Sequence, residues 1–89
     1  MIALNDVKTA LRITTNDFDD EITSLMNACT RDLEIRGINI VDDELIDIAV
    51  ITYVKMRFGN PDNYDKLKRS YDEQKAQLSM ATGFTTWSV

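Results

Sequence analysis

The segment Leu45 to Phe58 sets the tightest limit on what this chain can fold into. Leu45, Ile46, Ile48, Ala49, Val50, Ile51, Tyr53, Val54, Met56 and Phe58 crowd it too densely to leave a broad polar face. Its β-branched stretch from Ile48 to Thr52 is also compatible with a buried strand, but the length and the lack of internal turn residues favour a helix. Asp42-Asp43-Glu44 supplies a capped start, Gly59 a stop, and Asn60-Pro61 a forced turn, which predicts a helix over 43–58. A helix that is apolar nearly all round has to be covered on several sides. The expectation is therefore a central third helix in which Ile48, Ile51 and Val54 are nearly inaccessible.

The rest of the chain supplies the cover. Asn5 caps a short first helix, with Leu4 as a staple outside it and Val7, Ala10 and Leu11 at helical spacing, fading at Ile13-Thr14-Thr15. A second helix is predicted at 17–36. It is capped by Asn16 or Asp17, with Asp19, Asp20 and Glu21 at the positive end of its dipole and Gly37 as a left-handed terminator. Phe18, Ile22, Leu25, Met26, Cys29 and Leu33 recur along it at steps of three and four. Ile38 to Val41 reads as an apolar connector. A fourth helix over 62–80 is polar apart from a seam of Tyr64, Leu67, Tyr71, Leu78 and Ala81. The fold class is all-α: one small bundle of about four helices over residues 1–81, followed by an irregular C-terminal tail, 82–89.

At 89 residues the chain is one domain. It has no histidine and one cysteine, which excludes histidine acid–base chemistry, Cys–His nucleophiles and zinc sites built from thiolate and imidazole. No catalytic, cofactor-binding or metal-binding residues are identified, and no cofactor is implied. Asp17, Asp19 and Glu21 alternate like the start of a calcium loop, but the sixth and twelfth positions hold Ile22 and Ala28 where Gly and Glu are needed. Cys29, in register with Leu25, Met26 and Leu33, reads as a small core hydrophobe. One cysteine forms no internal disulfide, the N-terminus lacks the pattern of a signal peptide, and no apolar run approaches the ~20 residues that span a bilayer. Together these predict a soluble intracellular chain with no membrane partner.

Net charge is −5, unevenly spread: residues 1–45 carry −6 and residues 46–89 carry +1. General affinity for nucleic acid is thereby disfavoured. Lys66, Lys68, Arg69 and Lys75 with Tyr64 and Tyr71 sketch a basic stacking patch. Asp65, Asp72 and Glu73 interrupt it, however, and pairs such as Asp65 with Arg69 and Asp72 with Lys75 neutralise it. Phe84 and Trp87, two large aromatics in a tail with helix breakers, either fold back on the bundle or anchor a partner.

Three stretches, in order, resemble the small head–tail connector proteins of tailed bacteriophages, also called adaptor or DNA-packaging proteins. Leu4-Asn-Asp-Val-Lys-Thr-Ala-Leu-Arg-Ile13 is similar to the family's opening. Asp19-Asp20 followed by Ile22, Leu25, Met26 and Ala28 is similar to its second helix. The apolar helix Leu45–Phe58 ending at Gly59, followed by the Tyr64–Leu78 helix, is similar to its second half. The resemblance covers nearly the whole chain. One corner departs from it: the family's third helix often ends near a Tyr and an Asn-Arg pair, and here it ends Met56-Arg57-Phe58-Gly59, so no specific contact carries over there.

The resemblance implies a structural, non-catalytic virion protein at the head–tail junction, assembled in the host cytoplasm. Copies would form a ring below the portal, extend the DNA channel and meet the next head-completion or tail protein. Implied partners are the portal ring, neighbouring copies and that next protein. DNA would pass without sequence-specific binding. Phe84 and Trp87, with Tyr64 and Tyr71, are then the candidate partner-binding residues. Asp17, Asp19, Asp20, Asp42 and Asp43 are the candidates for a wall whose like charge keeps DNA from sticking. The alternative is an unrelated small helical protein-binding module or regulator acting through the seam of its fourth helix.

Overall fold

The computed structural model describes residues 2–59 and 61–80. Four helices follow one another: α1 (Leu4–Leu11), α2 (Asp19–Ile35), α3 (Glu44–Arg57) and α4 (Tyr64–Met80). No strand occurs among the described residues, and the predicted all-α bundle is the fold observed.

Both ends of α3 follow from its sequence. Asp43 is extended and its side chain accepts a hydrogen bond from the Leu45 N–H at 2.8 Å, a standard N-cap. Lys55 and Arg57 stand in the last turn, against the negative end of the dipole, and Gly59 then adopts φ +70°. α2 stops as expected at Gly37, φ 83°. There the N–H groups of Gly37 and Ile38 reach back to the carbonyls of Glu34 and Leu33 at 2.9 and 3.0 Å, a Schellman closure. α1 closes the same way, with Ile13 N–H on the Lys8 carbonyl and Arg12 N–H on that of Thr9. Here the left-handed residue is Arg12 (φ 60°), which a side chain rarely adopts.

The starts of α1 and α2 differ from expectation. α1 begins a residue before Asn5, because the Ala3 carbonyl already accepts the Asp6 and Val7 N–H groups; Leu4 lies inside the first turn. α2 has Phe18 at its N-cap and no side-chain cap. Asn16 cannot serve there, because its Oδ1 accepts from the Lys8 ammonium at 2.8 Å. Lys8 is itself buried, and its Nζ is also 2.8 Å from Asp19 Oδ1. The Asp19 contact is an ion pair by distance without hydrogen-bond direction, the directed bond going to Asn16. A lysine that reads as a surface base in the sequence thus ties α1 to the start of α2.

α3 lies against the other three helices and most extensively against α4 and α2. Val7, Ile22, Cys29, Leu33, Ile46, Ala49, Val50 and Val54 are fully buried, with Ile38, Tyr71 and Leu78 nearly so. The expectation for the buried face of α3 needs correction. Val54 is inaccessible, but Ile48 is 49% exposed and Ile51 only partly covered. The covering helices approach from the sides of Ile46, Ala49, Val50 and Val54, and three neighbours do not close the full circle around a helix. Ile46→Ala should therefore cost about 2–5 kcal/mol, the usual range for emptying a core site. Ile48→Ala should stay within roughly 0.5 kcal/mol, as surface changes do. Urea unfolding of the two variants checks this; equal losses would mean that Ile48 is core.

Candidate functional site

The polar groups that the fold brings inside meet where α2, α3 and α4 converge. Asp32 of α2 accepts from the Tyr71 hydroxyl at 2.6 Å and from the Lys75 ammonium at 3.1 Å, both on Oδ2. The Lys75 ammonium lies 5.1 Å from the centre of the Tyr71 ring. Tyr71 meets Tyr53 of α3 edge-on at 5.2 Å, and the Arg57 guanidinium covers the other ring, 5.5 Å from its centre. Beneath them the Cys29 thiol is 3.7 Å from the Tyr71 hydroxyl and 4.0 Å from the Ala49 carbonyl. Farther along α4, Gln74 donates to Thr52 of α3.

This cluster leaves a small cavity of about 110 Å³ lined by Asp32, Tyr53, Arg57, Lys68, Tyr71 and Lys75, among others. A larger hollow of about 450 Å³ lies on the outer side of α4 between Asp65, Arg69, Glu73 and their neighbours. Among the described residues its lining comes from α4 alone.

The electrostatics are those of a clasp. Burial pushes the Asp32 carboxyl up, but the bonds from Tyr71 and Lys75 outweigh burial and hold it below the usual carboxylate range. Burial, followed by the bond to Asp32, drives the Tyr71 hydroxyl far above its ordinary value. Burial also raises the Cys29 thiol to about 11, so it is not a thiolate near neutral pH. With 0% exposure, Cys29 is the core residue its register predicts.

The candidate partner-binding residues separate. Tyr71 is corrected: it is 2% exposed and its hydroxyl is committed to Asp32, so it has no surface to offer a partner. Tyr64 is partly buried against the core. Phe84 and Trp87 lie outside the described residues. One of the two expected pairs on α4 is also rearranged. Asp72 pairs with Lys68 at 2.9 Å rather than with Lys75, which crosses to Asp32. Of the five channel candidates, Asp19 is held on Lys8 and Asp43 caps α3, while Asp17, Asp20 and Asp42 are exposed. Sequence periodicity missed Asp32, Lys75 and Lys8, because each sits among polar neighbours and only a partner far along the chain gives it a role. Among the described residues no group of three or more His, Cys, Asp or Glu side chains is placed to hold a metal ion, and no helix is long and apolar enough to cross a membrane.

The clasp makes stability depend on pH in a defined way. A carboxyl with a lowered folded value, such as Asp32, stabilises above the unfolded value of about 4 and loses that contribution as pH falls through the folded value. Groups with raised values act oppositely. Cys29 contributes fully below about 9, its ordinary value, and loses this as pH rises through about 11; the Tyr71 contribution begins to be lost above about 10. Tyr71→Phe should cost about 1–2 kcal/mol at pH 7 through the lost charged hydrogen bond. It should also flatten the alkaline decline in stability. Urea midpoints from pH 3 to 11 test both, and an unchanged alkaline limb would remove Tyr71 from this role.

No curated protein and no solved structure matches the chain. A family model described as "Phage connector protein" matches residues 3–85. That span takes in all four helices, the Lys8 tie and the Asp32 clasp, and the chain belongs to the phage connector protein family.

Proposed function

We propose that this chain is a structural, non-catalytic subunit of the head–tail connector. Copies close into a ring below the portal, lengthen the DNA channel and offer a surface to the next head-completion or tail protein. The observation that carries this reading is the family match over residues 3–85, which covers the folded domain rather than one shared helix. The geometry supports it in two ways. The polar cluster inside is spent on joining helices, which suits a load-bearing part. The two ends of the bundle also differ, with exposed Asp17 and Asp20 at one and exposed Ile35, Leu45, Ile48 and Met80 at the other, as a ring built from heterologous contacts requires.

Within this reading the tail after Met80 is the assembly arm, with Phe84 and Trp87 as its anchors. The direct test is co-assembly with purified portal rings, read by sedimentation and electron microscopy. The full chain should join them. A chain lacking residues 82–89 should keep its helix content and melting temperature and fail to join. Joining by the truncated chain would make the arm dispensable, and failure of the full chain would favour an unrelated binding module.

The acids act collectively through their field. Asp17 and Asp20 are the ones to neutralise: both are exposed, whereas Asp19 is held on Lys8 and Asp43 caps α3. Replacing both by Asn should slow DNA exit from assembled particles. The slowing should be larger at low salt than at physiological salt, where the Debye length shrinks to ~8 Å. Release rates at two ionic strengths measure it, and a salt-independent rate would leave these residues as ordinary surface acids.

A further inference from the structure

The exposed apolar side chains are not scattered. Cys29 meets Ala49 while Phe18 stacks on Phe58, so α2 runs antiparallel to α3. Gln74 bonds to Thr52 and Tyr71 meets Tyr53, and α4 also runs antiparallel to α3. The last turn of α2, the connector after it, the start of α3 and the last turn of α4 therefore share one end of the bundle. That end carries Ile35 (71% exposed), Val41 (40%), Leu45 (41%), Ile48 (49%) and Met80 (85%). The remaining exposed large hydrophobic among the described residues, Phe18, is at the opposite end, against Phe58. Exposed Asp42 and Glu44 add a polar rim. Exposed apolar side chains gathered at one end with such a rim mark an interaction site.

The chemistry of the occupant is also given by the chain. After Lys75 there is no charged side chain, and residues 81–89, which leave from Met80, hold Phe84 and Trp87. Fully extended, nine residues reach ~30 Å, more than the 25 Å middle dimension of the molecule. A ring needs a contact from each subunit to the next, and a segment of that reach spans the distance to a second copy. We propose that the end formed by Ile35, Val41, Leu45, Ile48 and Met80 is the seat for residues 81–89 of a neighbouring copy. The inference deepens the ring reading and rests on it: arm and seat are different surfaces, so each copy fills the next, and the contact propagates until the ring closes.

Trp87 is the single tryptophan of the chain and reports its own surroundings. Two full-length variants separate the possibilities. The seat variant, Leu45→Asp with Ile48→Asp, keeps the arm. The arm variant, Phe84→Ala with Trp87→Ala, keeps the seat and has no tryptophan. Alone, the seat variant should emit as exposed tryptophan with full acrylamide quenching. Excess arm variant should move that emission to the blue and reduce quenching, because its vacant seats accept the intact arms. If the seat variant loses helical circular dichroism, Ile35→Asp with its more exposed side chain replaces it. Emission already blue in the seat variant alone, or unmoved by the arm variant, overturns the proposal. Portal co-assembly of the unaltered chain reads the ring separately: assembly without the blue shift removes the seat and leaves the ring, whereas a blue shift without assembly keeps the seat and removes the ring.

Discussion

A helix as apolar as α3 cannot face water around its whole circumference, and the other helices are placed by that constraint. α2 and α4 lie antiparallel along it, and α1 covers a third side. Each donates the few apolar residues that its own sequence allows: Val7 from α1, Ile22, Met26, Cys29 and Leu33 from α2, Tyr71 and Leu78 from α4. The core is one cluster because it has one axis. Three neighbours leave an uncovered strip, and Leu45 and Ile48 lie on it. The exposed patch is thus a consequence of packing four helices from a chain of this length.

α4 is the least apolar of the helices, and burial alone holds it weakly in register. The Asp32 carboxylate supplies what is missing. Two bonds from Tyr71 and Lys75 fix both the height and the rotation of α4 against α2, and the edge-on contact of Tyr71 with Tyr53 fixes it against α3. A partly buried charge with two donors is directional where apolar contact is not. Lys8 does similar work at the other end, where the short α1 would have little else to orient it on α2. The molecule is a hydrophobic bundle with two polar ties.

A connector subunit needs a stable body and surfaces for its neighbours. The two ties rigidify the body, while the apolar end and the exposed acids distinguish regions of its surface.

Much of this was legible in the residues themselves. Helix number and order followed from apolar spacing and from Asp43, Gly37 and Gly59, whose roles are local: a side chain two residues from the N–H it caps, or a backbone angle that glycine tolerates. Cys29 was legible for the same reason, since its register with Leu25, Met26 and Leu33 is a property of one helix. What the chain could not announce was which of its many charged residues would be enclosed. Lys8, Asp32 and Lys75 look like their solvated neighbours until folding brings Asp19, Tyr71 and Lys75 itself to them from 11, 39 and 43 residues away. Nor could periodicity say which side of α3 would stay open, because a helix apolar all round carries no internal mark of direction. Local patterns determined the elements; only the tertiary structure decided how Asn16 is used, where Tyr71 points and why Ile48 meets water, because those outcomes depend on distances between helices that no single stretch of sequence contains.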